Sequence, residues 1–263
     1  MSSNEWALVQ PEVTSFTRVC SYDRAGYGWS DSGPPADAVE VLHVLLRNGA
    51  ISGPYVMVGH SYGSSLVRRY GYRFPDQIAG MVLTATSYPD EEVRRTAADA
   101  KRYRRFFEIY AWATRMSLLR IVPKRLLPDM FRVYVGLLRK YLPLEAAESE
   151  VAFLHQTKHV QSLVSAADLP TPIEEDEDAA ACSRGFGNIP LVVLTEKWVY
   201  SPDGGEQEKE QARREGDRQT RLAGLSSRGK KIDLDSGHLI PLECPAAVID
   251  AIRDVVLTIR QMR

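Results

Sequence analysis

The stretch from Pro54 to Thr86 constrains the fold more than any other. It reads PYVMVGHSYGSSLVRRYGYRFPDQIAGMVLTAT. An apolar run is followed by a helix-period segment closed by Pro75, and then by a second apolar run. Short apolar runs without polar alternation are the mark of strands covered on both faces. A helix between two such strands is the crossover that parallel pairing requires. The same rhythm continues on either side. Residues 4–16 predict a short helix, and 17–22 (TRVCSY) a buried strand followed by a turn-rich stretch over 23–32. Helical spacing over 36–47 stops at Asn48-Gly49, a C-cap signal. Further strands are predicted at 189–195 and 230–234, a charged helix at 206–225 and an amphipathic helix at 245–262. These elements define an α/β class, with a mostly parallel sheet of about five strands flanked by helices.

Between 90 and 168 the strand signals fade and helical periodicity takes over, cut by Pro123, Pro128 and Pro143. The acidic run EEDED at 174–178 reads as a solvated loop. The expected layout is therefore a core of 1–89 and 186–263, interrupted by a helical insertion over 90–185. The insertion contains RYRRFFEIYAWATRMSLLRIV at 102–122. Aromatic and aliphatic residues at this spacing read first as the buried face of a helix. They could also line an apolar pocket. A membrane-surface helix is the weaker reading, because Glu108 interrupts the charge pattern.

A chain of 263 residues can bury one sizeable core. Its 33 Lys plus Arg nearly cancel its 34 Asp plus Glu, so no general pull toward nucleic acid is expected. No stretch reaches the length of uncharged residues that spans a bilayer, and stable membrane insertion is not expected. The N-terminus shows no signal-peptide pattern. Cys20, Cys182 and Cys244 match no metal spacing or disulfide framework, which suits a reducing, cytoplasmic setting. No metal or cofactor is called for, and the expected partner is a small-molecule substrate. The sequence leaves the oligomeric state open.

Gly59, Ser61 and Gly63 spell G-x-S-x-G between a predicted strand and a predicted helix. In that context the serine sits on a sharp turn above the carboxyl edge of the sheet. A β-carbon at either glycine is expected to collide with the adjoining strand or helix. The competing reading is a helix N-cap serine. If Ser61 is the nucleophile, the backbone N–H of Tyr62 can donate to a developing oxyanion. A serine also needs a base. His238, in DSGHLIPLECP, follows the last strand and precedes the last helix. His60 neighbours Ser61 but points to the other face of the strand, His43 reads as a helix-surface residue, and His155 with His159 as a helical face.

With these residues in view, the chain resembles the α/β-hydrolase family, most closely the branch that carries a SYDRAGYGWSD-type loop, here residues 21–31. GHSYG at 59–63 and SGHLIPLECP at 236–245 match the same branch. The resemblance implies a serine hydrolase with Ser61 as nucleophile, His238 as base and a helical lid insertion between the sixth and seventh family strands, which 90–185 fits. The acid follows either the sixth or the seventh family strand. After the run at 80–84 the relatives' aspartate position falls on Ala85, with Asp90 the nearest carboxylate. After 189–195 the candidates are Glu196 and Asp203. The expected set is Ser61, His238 and Glu196, with Asp203, Asp90 or no acid at all as the alternatives. The resemblance further implies three strands ahead of the SYDRAG strand, and a loop after the third that donates a second oxyanion amide. Only 17 residues precede Arg18, so those strands are expected to be missing. The expected activity is carboxylesterase action on a small apolar ester through an acyl-enzyme. The alternative is a catalytically impaired or truncated hydrolase-like protein acting as a binding module.

Overall fold

A computed structural model describes residues 2–34, 36–86, 105, 108–110, 112, 114–116, 129–167, 172–196 and 205–262. The chain forms two compact units. One comprises Met1–Pro11, Val19–Ala36 and Arg94–Thr171, and the other Glu12–Arg18, Asp37–Val93 and Pro172–Arg263.

The second unit holds the sheet. Its strands are β1 (Tyr55–His60), β2 (Ile78–Thr84), β3 (Leu191–Glu196) and β4 (Gly229–Leu234). They lie in the order β1-β2-β3-β4, all parallel. The central strands show why the sequence runs were unbroken: Met81, Val82 and Leu83 of β2 and Leu191 to Leu194 of β3 are buried. The outer strand β4, GKKIDL, carries two lysines and an aspartate and is partly exposed. Helices of this unit are α1 (Gln10–Thr14), which ends just inside it, α2 (Ala38–Asn48) and α3 (Tyr62–Arg73). Asp37 caps α2 by accepting from the Val39 N–H at 2.9 Å.

In the first unit, α4 (Asp129–Tyr141), α5 (Leu144–Phe153) and α6 (Thr157–Ala167) follow. Their core gathers Tyr110, Leu154 and Val160, with Tyr134 and Val135 packed against it. The second unit then resumes with α7 (Pro172–Arg184), α8 (Glu206–Ala223), α9 (Ile240–Glu243) and α10 (Pro245–Met262).

Three local expectations are corrected. Residues 17–22 form no strand; Arg18 and Cys20 are exposed, and among the described residues the run has no ladder partner. A mixed run with Arg18 and Ser21 in it cannot supply the two-sided burial that a parallel strand needs. The acidic run 174–178 is not a loop but lies within α7. Two of its carboxylates have partners: Asp178 accepts from Arg68 Nε and Nη2 at 2.8 and 2.6 Å and from Ser65 Oγ at 2.8 Å. Glu177 accepts from Arg73. Arg68 and Asp178 are both buried, and removing one partner of such a pair costs about 3–5 kcal/mol. His43 is not a free surface residue: its ring stacks on Phe74 at 4.0 Å between centroids.

Candidate active site

The bend between β1 and α3 is built from named contacts. Ser61 adopts φ 52°, ψ −119°, a left-handed backbone that costs a non-glycine residue on the order of 1–3 kcal/mol. The bend is held from both sides. The Ser61 N–H donates to the Thr84 carbonyl at 2.9 Å. Ser64, the third residue of α3, donates its hydroxyl to the Gly59 carbonyl at 2.8 Å and accepts from the Thr84 N–H at 3.3 Å. The end of β1, the start of α3 and the end of β2 are thereby locked together. Ser61 makes no side-chain cap bond to its helix. Tyr62 opens α3, which sets its N–H at the positive end of the helix.

The two motif glycines differ. A Cβ on Gly59 would lie 2.5 Å from the Gly63 carbonyl oxygen and 2.6 Å from the Ser64 nitrogen, both backbone atoms. At Gly63 a Cβ would meet nothing within 4 Å. The expectation of a collision at both positions is corrected accordingly. The strand side of the bend is crowded because the chain folds back over Gly59, whereas Gly63 faces open space among the described residues.

His238 lies between β4 and α9, at the same carboxyl edge, and Glu196 is the last residue of β3. The His238 Nδ1 and Glu196 Oε1 are 3.4 Å apart, with 52% and 23% of the side chains exposed. Burial pushes the Glu196 carboxyl up, but the hydrogen bond to His238, a backbone amide and the histidine charge outweigh it and hold the group below its ordinary range. The His60 ring lies 5.1 Å from that of His238. Its Nδ1 is 3.0 Å from the Thr84 hydroxyl, which itself lies 3.2 Å from the Gly59 carbonyl it donates to. A hydroxyl has one proton, so with that proton on Gly59 the His60 Nδ1 is the donor and its Nε2 is bare. Burial, then the His238 charge, pull the His60 imidazole down to about 3. It is neutral at physiological pH and does not compete with His238 for a proton.

One residue of the site went unnoticed in the sequence. The Glu243 carboxylate accepts from the Gly237 N–H at 2.9 Å and the Leu239 N–H at 3.2 Å. These two amides flank His238, so Glu243 fixes the loop that presents the imidazole. A carboxylate five residues after a candidate base, within LIPLE, was the available signal.

Of the carboxylates considered, Asp90 and Asp203 lie outside the described residues, and Glu196 is beside His238. Ala85, at φ 48°, offers no carboxylate; its N–H donates to the Leu194 carbonyl at 3.0 Å. His155 and His159 do not form a pair on one surface. His159 is buried against Tyr27, whereas His155 is exposed.

A parallel sheet whose carboxyl edge gathers a strained serine, a histidine and a glutamate defines an α/β protein of the hydrolase type. The chain belongs to the alpha/beta hydrolase family, whose sequence profile matches residues 1–251. An uncharacterized protein of Schizosaccharomyces pombe is 37% identical over 79 residues, 28% of this chain but only 15% of that protein. The chain thus matches a small part of that relative's length. Among solved structures, a candidate epoxide hydrolase from Pseudomonas aeruginosa superposes with a TM-score of 0.67 at 17% identity, covering 99% of this chain and 86% of that one. A thermophilic esterase from Thermogutta terrifontis superposes with a TM-score of 0.60 at 18% identity, covering 98% and 86%. Similarity at that level of identity is a similarity of fold.

Proposed function

We propose that this protein is a serine hydrolase acting on small apolar carboxylic esters. The observation that carries the reading is the strained, uncapped Ser61 at the end of β1, on the same carboxyl edge of the sheet that carries the His238–Glu196 pair. Ser61 Oγ attacks the ester carbonyl carbon while His238 takes its proton. The C=O electron pair moves onto oxygen, where the Tyr62 N–H stabilises part of the charge. The tetrahedral intermediate collapses, and the departing alkoxide receives the proton from His238. Water then attacks the acyl-enzyme and gives a proton to His238, which passes it to the departing Ser61 Oγ as the second tetrahedral intermediate collapses to the carboxylic acid. Glu196 orients the imidazole and stabilises its charged form. The cysteines, free in the structure, suit a reducing and cytoplasmic setting for this activity.

The test is turnover of p-nitrophenyl acetate and butyrate by the wild type, Ser61→Ala and His238→Ala, each shown to be folded by circular dichroism. Turnover by the wild type that is lost in both variants is the expected result. A wild type no faster than Ser61→Ala rejects the reading.

A second reading, a hydrolase-like protein that binds without turnover, is favoured by one feature: the long 3.4 Å separation of an exposed His238 from Glu196. In that case Ser61→Ala binds the same ester or acid as tightly as the wild type, and neither turns it over.

A further inference from the structure

The first unit buries two carboxylates that the proposed chemistry does not use. Glu150 of α5 is 0% exposed, and Glu5, in the short 3-10 turn Ser3–Trp6, is 5% exposed. Each accepts from a neutral hydroxyl. The Ser2 hydroxyl donates to Glu150 Oε1. The Tyr134 hydroxyl of α4 donates to Glu5 Oε1 at 2.9 Å. Glu150 Oε2 is buried and has no partner among the described residues. A buried carboxylate with no cation bonded to it is costly when charged, and a proton removes that cost.

The surrounding groups leave that cost in place. Burial first, then the Glu5 charge, push the Glu150 carboxyl up to about 7; Asp23 adds to this, and the amino-terminal charge opposes it. An α-amino group titrates at about 7.7–8.0, so its opposition fades as pH rises. Tyr134 is held well above its ordinary value, chiefly by burial, and stays a donor. His159 of α6 is pulled down to about 3, chiefly by burial, and carries no charge at physiological pH. The nearby cations are engaged elsewhere. Lys158 donates to the Ser30 carbonyl at 2.8 Å, Arg24 lies over the Tyr27 ring, and Arg139 of α4 pairs with Glu148 on the exposed side. Chain connectivity then decides what yields. Leu138 of α4 and Ala147 of α5 are fully buried, so these helices are held by their own core. The turn Ser3–Trp6 is only four residues long. Besides the two carboxylate contacts, the Ser3 N–H donates to Asp23 Oδ1 at 2.5 Å. Opening a short segment costs less than parting two packed helices.

We propose that a proton held by the Glu5–Glu150 pair latches the turn Ser3–Trp6 onto α4 and α5, and that loss of this proton lets the turn lift away. The folded Glu150 value lies above the ordinary 4.5, so the latch is fully closed below 4.5. It weakens as pH rises from there, and above about 7 its proton-dependent part is gone. The proposal does not depend on the hydrolase reading, since it concerns other residues and no turnover.

The experiment is amide hydrogen exchange of the full chain between about pH 5 and 8, corrected for the intrinsic rate. It is read on the peptide that holds Asn4 to Val9, whose Ala7 and Val9 amides donate to the Asn4 and Trp6 carbonyls at 3.0 and 2.9 Å. Wild-type protection is expected to fall about five- to tenfold per pH unit between about 5 and 7 and to level off above. Protection of β2 and β3 should not follow it. Glu150→Gln should be close to flat over the same range. Glu5→Gln takes away the charged neighbour of Glu150 and should show a smaller total fall, which gives a reading even where Glu150→Gln does not fold. Wild-type protection that does not change with pH overturns the proposal. So does a wild-type fall that persists in Glu150→Gln or stays undiminished in Glu5→Gln. A loss that spreads equally to β2 and β3 also overturns it, because it reports the whole molecule and not the turn.

Discussion

Replacing Glu196 by glutamine keeps the shape of the side chain and removes its charge. The consequence can be worked from the geometry. Two unit charges 3.4 Å apart attract by about 5 kcal/mol at an effective dielectric of 20 and by about 1.2 kcal/mol in bulk water. With 52% of His238 and 23% of Glu196 exposed, the pair sits between these limits, nearer the watery one. About 2–3 kcal/mol of imidazolium stabilisation is a reasonable centre, which corresponds to roughly 30- to 150-fold in rate. That is well short of the ~10⁴ lost when a buried, well-aligned triad acid is neutralised. The assay is kcat/KM toward p-nitrophenyl acetate for the wild type, Glu196→Gln and Glu196→Ala, with thermal unfolding as the folding control. A loss in the stated range supports Glu196 as the acid. If Glu196→Gln stays within about threefold of the wild type while Ser61→Ala and His238→Ala are inactive, the reasoning is refuted. Asp90 and Asp203 then become the residues to substitute.

Three further outcomes follow from the same contacts. Gly59→Ala must displace backbone atoms at 2.5–2.6 Å and should lower activity by two orders of magnitude or more along with Tm, whereas Gly63→Ala should keep its Tm or raise it slightly. Glu243→Ala strips the acceptor from the Gly237 and Leu239 amides. It should cut kcat/KM by about tenfold, with Glu243→Gln recovering part of the loss, both read by steady-state kinetics. The Glu150 carboxyl is pushed up to about 7 by burial and by Glu5. Its folded value lies above its unfolded one, so its contribution to stability is complete below the unfolded value near 4.5 and is lost as pH rises through about 7. In urea unfolding, Glu150→Gln should therefore be more stable than the wild type by about 1–3 kcal/mol at pH 8, and the gap should close near pH 4.5.

The central strands were legible because their burial is two-sided and leaves an unbroken apolar signature, as in IAGMVLT and LVVLT. The bend at Ser61 was legible because its glycine and serine spacing reports backbone geometry directly. Other features depend on partners that local pattern does not encode. The acidic run at 174–178 looked like a loop because Arg68, which meets Asp178, is 110 residues away. The expected strand at 17–22 had apolar residues, but among the described residues no neighbour completes a ladder with it. His43 looked like a surface residue until the ring of Phe74 was found stacked on it. Gly63 kept its place in the motif, yet among the described residues the crowding falls on Gly59 and not on Gly63. Glu243 escaped notice because its work is done on two backbone amides, which no side-chain motif records.

The central claim is that Ser61 is an activated nucleophile, and intact mass spectrometry after treatment with a fluorophosphonate tests it most directly. One adduct per chain is expected, mapped to Ser61, absent from Ser61→Ala and formed much more slowly in His238→Ala. Folded protein that stays unmodified, or an adduct carried by a different residue, would contradict it.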